Sequence, residues 1–191
     1  YSILILRKFN MRYYLGSGND RKKGFIHVDM YGTEKSDFIL WDLRKGLPSQ
    51  ITDADCFFMS HTNEHLSPEV NQLLLKQCYE RLSPGGKIYI EIPDQRAAMV
   101  AYINNDHDYF DSAFFRIHSP SMELDECLDL SLYQRSNQIP EHIIFISDAR
   151  MLRWLTAAGF DAKQTYFDPS INNPDPIRVK YSSYFVGSKV A

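Results

Sequence analysis

An apolar run, Arg12-Tyr13-Tyr14-Leu15, breaks into Gly16-Ser17-Gly18, and a second run, Phe25-Ile26-His27-Val28, ends on Asp29. This order constrains the fold more than any other feature of the chain. A strand that turns on glycine lets backbone approach a ligand, and a carboxylate at the end of the next strand is placed to hold a sugar diol. A lone Gly-Ser-Gly is equally an ordinary turn; its position between a strand and Asp29 favours a nucleoside-cofactor loop. Arg21 stands where a dinucleotide-binding G-x-G-x-x-G would carry its third glycine, so a nicotinamide cofactor is disfavoured.

Further elements follow in a βα order. Residues 37–42 form a third apolar run bounded by turn residues, and residues 55–60 a fourth. The linkers joining the first three runs reach about nine residues at most, short of a parallel crossover with a full helix, so the early helices are expected to be vestigial. Ser67 is an N-cap with Pro68 at the first helical position, and Val70, Leu73, Leu74, Cys78 and Leu82 form the expected apolar face. Ser83-Pro84-Gly85-Gly86 is expected to stop that helix and turn the chain into a strand in which Ile88, Ile90 and Ile92 alternate with Tyr89 and Glu91. Residues 94–143 read as an insert that covers a site, with helices around 97–102 and 122–132. Ser147 then caps a helix through Met151, Leu152 and Leu155 that Gly159 stops, and residues 179–186 read as a last strand.

With 191 residues, 44% hydrophobic and 24% charged, the chain suits one globular domain over 1–191, residues 1–10 being an extension ahead of Met11. A formal charge of −3, from 21 basic and 24 acidic side chains, provides no broad cationic face, so no nucleic-acid partner is expected. Cys56, Cys78 and Cys127 fit neither a disulfide framework nor paired metal ligands and point to a reducing, cytoplasmic setting. No apolar run approaches the roughly 18 residues of a membrane span, so no membrane partner is expected.

Several motifs, taken together and in order, resemble the class I S-adenosylmethionine-dependent methyltransferases. They are Leu15-Gly16-Ser17-Gly18, Asp29, Asp42-Leu43 before Leu47-Pro48, Ser60-His61 leading to Glu64-His65-Leu66, the 81–86 turn, and Ala157-Ala158-Gly159-Phe160. The resemblance runs from Met11 to the end and is nearest the compact, methyltransferase type 11-like subgroup, whose early helices are also short. It implies an α/β, three-layer Rossmann-like fold: a seven-stranded, mostly parallel sheet of order 3-2-1-4-5-7-6 with strand 7 antiparallel. It also implies S-adenosylmethionine across the carboxyl ends of strands 1, 2 and 4, held by Leu15, Gly16, Ser17, Gly18, Asp29, Met30, Asp42, Leu43, Ser60 and His61. Within that set, the glycine turn would present backbone N–H groups, Asp29 would accept from the ribose hydroxyls, and Asp42 would accept from the adenine amino group beside Leu43. For Asp42 a turn cap before Arg44-Lys45-Gly46 is the competing reading. The implied activity is methyl transfer to a small-molecule acceptor; the alternative is an inactive methyltransferase-like binding or scaffold domain.

His61-Thr62-Asn63-Glu64-His65 also spells H-x-x-E-H, the zinc pattern of inverted zincins. That chemistry needs both histidines one turn apart on a continuous helix, with a distant third ligand and an open position. His61 directly follows a strand and the helix starts only after His65, so the two imidazoles are not expected to share a face, and no metal is expected. Packing, capping, or a place beside cofactor or acceptor remain for the pair. If the acceptor must lose a proton, His61, His65 and His142 are the candidate catalytic bases.

Overall fold

A computed structural model describes residues 11–111, 122–136, 139–172 and 176–190; the expected extension at 1–10 and parts of the 94–143 insert lie outside them. Five parallel strands come first: β1 (Arg12–Leu15), β2 (Ile26–Asp29), β3 (Phe38–Leu40), β4 (Ala54–Ser60) and β5 (Leu82–Pro93). A separate two-stranded pair, β6 (Arg135–Ser136) and β7 (Ile139–Pro140), precedes β8 (Asp161–Thr165) and β9 (Ser182–Ser188). The main sheet runs β3-β2-β1-β4-β5-β9-β8, and β9 is antiparallel to both its neighbours. With the small pair set aside, this is the expected 3-2-1-4-5-7-6 order with a reversed seventh strand.

The short early linkers have a structural counterpart. Among the described residues no α-helix joins β1 to β2 or β2 to β3, and only a 3-10 turn, Leu43–Lys45, follows β3. One face of the sheet packs Leu15, Phe57, Met59, Ile88 and Ile90 into the main core. The other face carries Tyr14, Phe25, Cys56 and Phe58, and cationic side chains lie over its aromatic rings. Arg12 sits 4.2 Å from the Phe25 centroid and Lys22 5.1 Å from that of Phe58, where aliphatic stems cover apolar surface while the charges reach water.

Helix α1 (Pro68–Arg81) begins as expected, with the Ser67 hydroxyl accepting from Val70 N–H and proline at the first helical position. Its buried face is Asn71, Leu74, Leu75 and Cys78. Leu73 is 46% exposed, which corrects the expected apolar face. A polar residue owns the inner line because Asn71 is fully hydrogen-bonded there, which offsets its burial. The 81–86 turn needs a second correction. Leu82 is already in β5, and Ser83 to Gly86 form an irregularity inside the strand, where pairing steps from Ala54 opposite Leu82 to Cys56 opposite Lys87.

Beyond β5, α2 (Gln95–Ile103), α3 (His107–Phe110) and α4 (Leu124–Tyr133) enclose a second apolar cluster built on Ala98, Ala101, Phe110 and Cys127. Helix α5 (Asp148–Ala158) is capped by Ser147 and stopped by Gly159 at φ 109°, a left-handed geometry that favours glycine. The last strand is shifted from its expected span. Residues 176–181 form helix α6 (Pro176–Tyr181), and β9 occupies 182–188.

Candidate active site

The carboxyl ends of β1, β2 and β4 open on a cleft of about 690 Å³. At one end, the β1 strand turns through Gly16 (φ 70°) and Gly18 (φ 52°). Gly16 N–H donates to the Val28 carbonyl at 2.8 Å, fastening the turn to β2. Asp29 is 8% exposed, and each carboxylate oxygen accepts one backbone N–H: Gly18 at 2.8 Å and Tyr31 at 2.9 Å. Each oxygen keeps a second lone-pair site for a ligand hydroxyl. A Cβ on Gly16 would lie 2.3 Å from the Thr62 methyl carbon, whereas one on Gly18 would meet nothing within 4 Å. Ser17 is buried behind the turn, and its hydroxyl has no hydrogen-bond partner among the described residues.

Asp42 and Leu43 line the same cleft. The Asp42 carboxylate accepts from Arg44 N–H at 3.0 Å and takes the Arg44 guanidinium on both oxygens, at 2.9 and 2.8 Å. It therefore caps the Leu43–Lys45 turn, and the hydrogen bonds from Arg44 hold its carboxyl below the usual range. Met30, 39% exposed, lines the cleft beside them, its sulfur 3.9 Å from the Arg44 guanidinium.

The far end of the cleft is made of histidines around one carboxylate. His61 follows β4 in a left-handed conformation, φ 50°, uncommon for a side chain of its size. Its Nε2 lies 2.8 Å from Ser182 Oγ and its Nδ1 3.5 Å from Glu64 Oε1. Glu64, in the 3-10 turn Asn63–His65, is fully buried. His65 Nε2 and His142 Nε2 each approach the same Glu64 oxygen at 3.8 Å. The His65 and His142 rings meet edge to face at 5.0 Å. His65 Nδ1 lies 2.8 Å from the Glu141 carbonyl, and since a carbonyl only accepts, Nδ1 is the donor. Burial, then the neighbouring His65, push His142 down to about 4, so it is neutral at ordinary pH.

Two threads hold this end in place. Ile143 N–H donates to the Glu64 carbonyl at 2.9 Å, bringing the segment after β7 onto the turn after β4. Asn71 of α1 donates to the Asn63, Leu66 and Ser67 carbonyls and accepts from the Asn63 amide at 2.7 Å.

Gly16, Gly18, Asp29, Met30, Asp42, Leu43, His61 and His65 thus border one cleft. Leu15 and Ser60 do not: Leu15 is fully buried in the core, and the Ser60 hydroxyl donates to Glu91. His142 is 5% exposed and lies beneath His65 rather than on the cleft wall. Trp41 and Glu141 also line it, and no sequence motif marked them, whereas the lining residues Thr62 and Leu66 fall inside the 60–66 motif. Glu64 was overlooked as a functional group; its signal was its place inside H-x-x-E-H.

The architecture is the class I methyltransferase fold. Human N-acetylserotonin methyltransferase, solved with SAM, superposes with a TM-score of 0.53 at 14% identity, over 96% of this chain and 48% of that one. The pyocyanin biosynthetic protein PhzM gives 0.55 at 12% identity, over 98% and 52%. The plantazolicin methyltransferase BpumL, solved with SAH, gives 0.57 at 12%, over 95% and 76%. The chain spans about half the length of the first two proteins. No protein family profile matches the chain, and no curated protein matches it. Within the methyltransferase fold, the glycine turn and Asp29 stand at the carboxyl ends of the first two strands and the histidine end follows the fourth. No helix among the described residues is long and apolar enough to cross a membrane.

Proposed function

We propose that this chain is a class I S-adenosylmethionine-dependent methyltransferase acting on a small-molecule acceptor. The observation that carries the reading is the join between the glycine turn and Asp29, a buried carboxylate bonded to Gly18 N–H with lone pairs left for a ribose diol. The open space beside Gly18 fits a ligand that presses against backbone. Bound S-adenosylmethionine supplies a methyl group already activated on a sulfonium, so no strong acid or base is needed to release it.

The chain's own work is to hold and orient. Gly16 keeps Thr62 against the turn, Asp29 grips the ribose, and Met30 and Leu43 offer apolar surface to the base. Asp42 serves first as the cap of its own turn. On the acceptor side, His61 lines the cleft and is the candidate group to take a proton from an acceptor hydroxyl or ammonium. The segment at 141–143, fastened to Glu64 through Ile143, closes that end within a single domain. The balanced charge argues against a nucleic-acid acceptor, and three buried free thiols suit a reducing cytoplasm.

Calorimetric titration with S-adenosylmethionine and its demethylated product tests the reading. Both should bind, and Asp29→Ala should weaken binding by about 1.5–3 kcal/mol with the fold intact, the scale of charge-assisted hydrogen bonds. Failure of both ligands to bind a folded protein would leave the scaffold alternative standing.

A further inference from the structure

Glu64 and His142 take no part in gripping an adenosyl group, yet both are buried and converge with His65 at the closed end of the cleft. We propose that Glu64, His65 and His142 bind a divalent metal ion of the zinc class, with an open coordination position facing the acceptor. One carboxylate oxygen and one nitrogen from each histidine lie within 4.8 Å of one another. Tetrahedral zinc with bonds of about 2.1 Å places its ligand atoms about 3.4 Å apart, so the two 3.8 Å edges need about 0.4 Å of closure and the edge between the histidine nitrogens no more than about 1.4 Å. Side-chain rotation supplies that.

The orientation of the ligands argues for an ion over plain packing. His65 gives its Nδ1 proton to the Glu141 carbonyl, the outer bond that fixes a metal-ligating imidazole with its other nitrogen bare toward the ion. His142 is 5% exposed, and the Leu132 and Ser131 carbonyls beside its ring favour a protonated nitrogen, the same kind of outer contact. Two imidazoles and a carboxylate form a three-ligand set that binds zinc with a fourth position open. His65 reaches the cleft, with a third of its side chain exposed (33%), so that position opens toward the acceptor. The expectation of no metal rested on His61 and His65 as the histidine pair; the fold replaces His61 with His142, brought from the far side of the insert. His61 Nδ1, 3.5 Å from Glu64 Oε1, instead steadies the carboxylate.

The metal site stands on its own geometry. Only the identity of the remaining ligand, an oxygen of the acceptor, rests on the methyltransferase reading. The chemistry favours an acceptor bearing a hydroxyl or carboxylate, whose oxygen the ion would fix and polarise.

The test uses the full chain, stripped with a chelator and titrated with Zn²⁺ by calorimetry. One ion per chain is expected, and Co²⁺ in its place should give the visible spectrum of a nitrogen–oxygen tetrahedral site. His142→Ala and Glu64→Gln, each checked for folding by circular dichroism, should weaken zinc by about 100-fold or more, since even outer partners of metal ligands are worth 10–100-fold. His107→Ala, exposed on α3, should leave it unchanged. A folded chain without saturable zinc binding overturns the proposal, as does wild-type affinity in both ligand variants. Titrating S-adenosylmethionine into the metal-free chain reads the glycine end alone, so failure of one reading is distinguished from failure of the other.

Discussion

The two ends of the cleft are built by opposite means. At the glycine end, a short stretch of chain from Gly16 to Tyr31 places backbone N–H groups and one carboxylate, and the bonds that define the end are backbone to Asp29. At the histidine end, side chains from residues 61–65 meet one from residue 142, and their positions depend on α1 and on the segment after β7. A backbone-built site tolerates most side-chain changes but no added Cβ where the turn is tight. A side-chain-built site depends on scaffold residues that never touch a ligand.

Asn71 is the most direct way to separate the two. Its amide is fully buried and bonds the Asn63 and Leu66 carbonyls at the two ends of the turn that carries Glu64 and His65, and the Ser67 carbonyl at the start of α1. Truncation to alanine strands the Leu66 carbonyl and the Asn63 amide, while the Asn63 and Ser67 carbonyls keep backbone donors, at a cost of about 2–4 kcal/mol of stability in urea denaturation. Zinc affinity should fall with it. Affinity for the demethylated cofactor product should stay within about threefold in the folded protein, because no bond of Asn71 reaches the glycine turn. An equal loss at both ends would show that the cleft is one cooperative unit.

Gly16 sits where the ends touch. Its φ of 70° disfavours a side chain, and Thr62 occupies the space a Cβ would fill. Gly16→Ala should destabilise by about 1–3 kcal/mol. The Thr62 hydroxyl lies 3.2 Å from the Leu15 and Ser60 carbonyls, so Thr62→Ala is destabilising in its own right. The double variant should nevertheless be more stable than the sum of the two losses predicts, by about 0.5 kcal/mol or more, because the second change removes the two shortest contacts created by the first, at 2.3 and 2.4 Å, and leaves only the Thr62 Cβ at 2.9 Å. Strict additivity would mean that the turn and the histidine segment move independently.

The same division explains what the sequence made legible. The glycine turn, Asp29 and the capped helices α1 and α5 are short-range features whose turn and cap chemistry is written in adjacent residues, and the strand order followed once a family resemblance assigned them. The histidine end joins residue 64 to residue 142, and nothing local in either segment announces the other. Leu73 was misplaced because apolar periodicity gives a polar inner residue no weight, whereas Asn71 is stable there through bonds to a turn that periodicity cannot see. Residues 179–181 look like strand by composition but continue helix α6, and the irregularity at Ser83 to Gly86 arises from pairing with β4, a partner 28 residues upstream of Leu82 at Ala54.

The smallest expected effect lies within the glycine end, between its two strand-end carboxylates. Asp29 is buried and bonded only by backbone N–H among the bonds described, while Asp42 is partly exposed and held by the exposed Arg44 guanidinium. Such surface pairs are screened and contribute little, and an amide oxygen can still cap the Leu43–Lys45 turn. Asp42→Asn should therefore change cofactor affinity by less than about threefold in the same calorimetric titration, against about 10- to 100-fold for Asp29→Ala. A loss at Asp42 as large as that at Asp29 would show that its carboxylate leaves Arg44 and takes the adenine amino group when ligand binds, making the ion pair a latch of the ligand-free state rather than a cap.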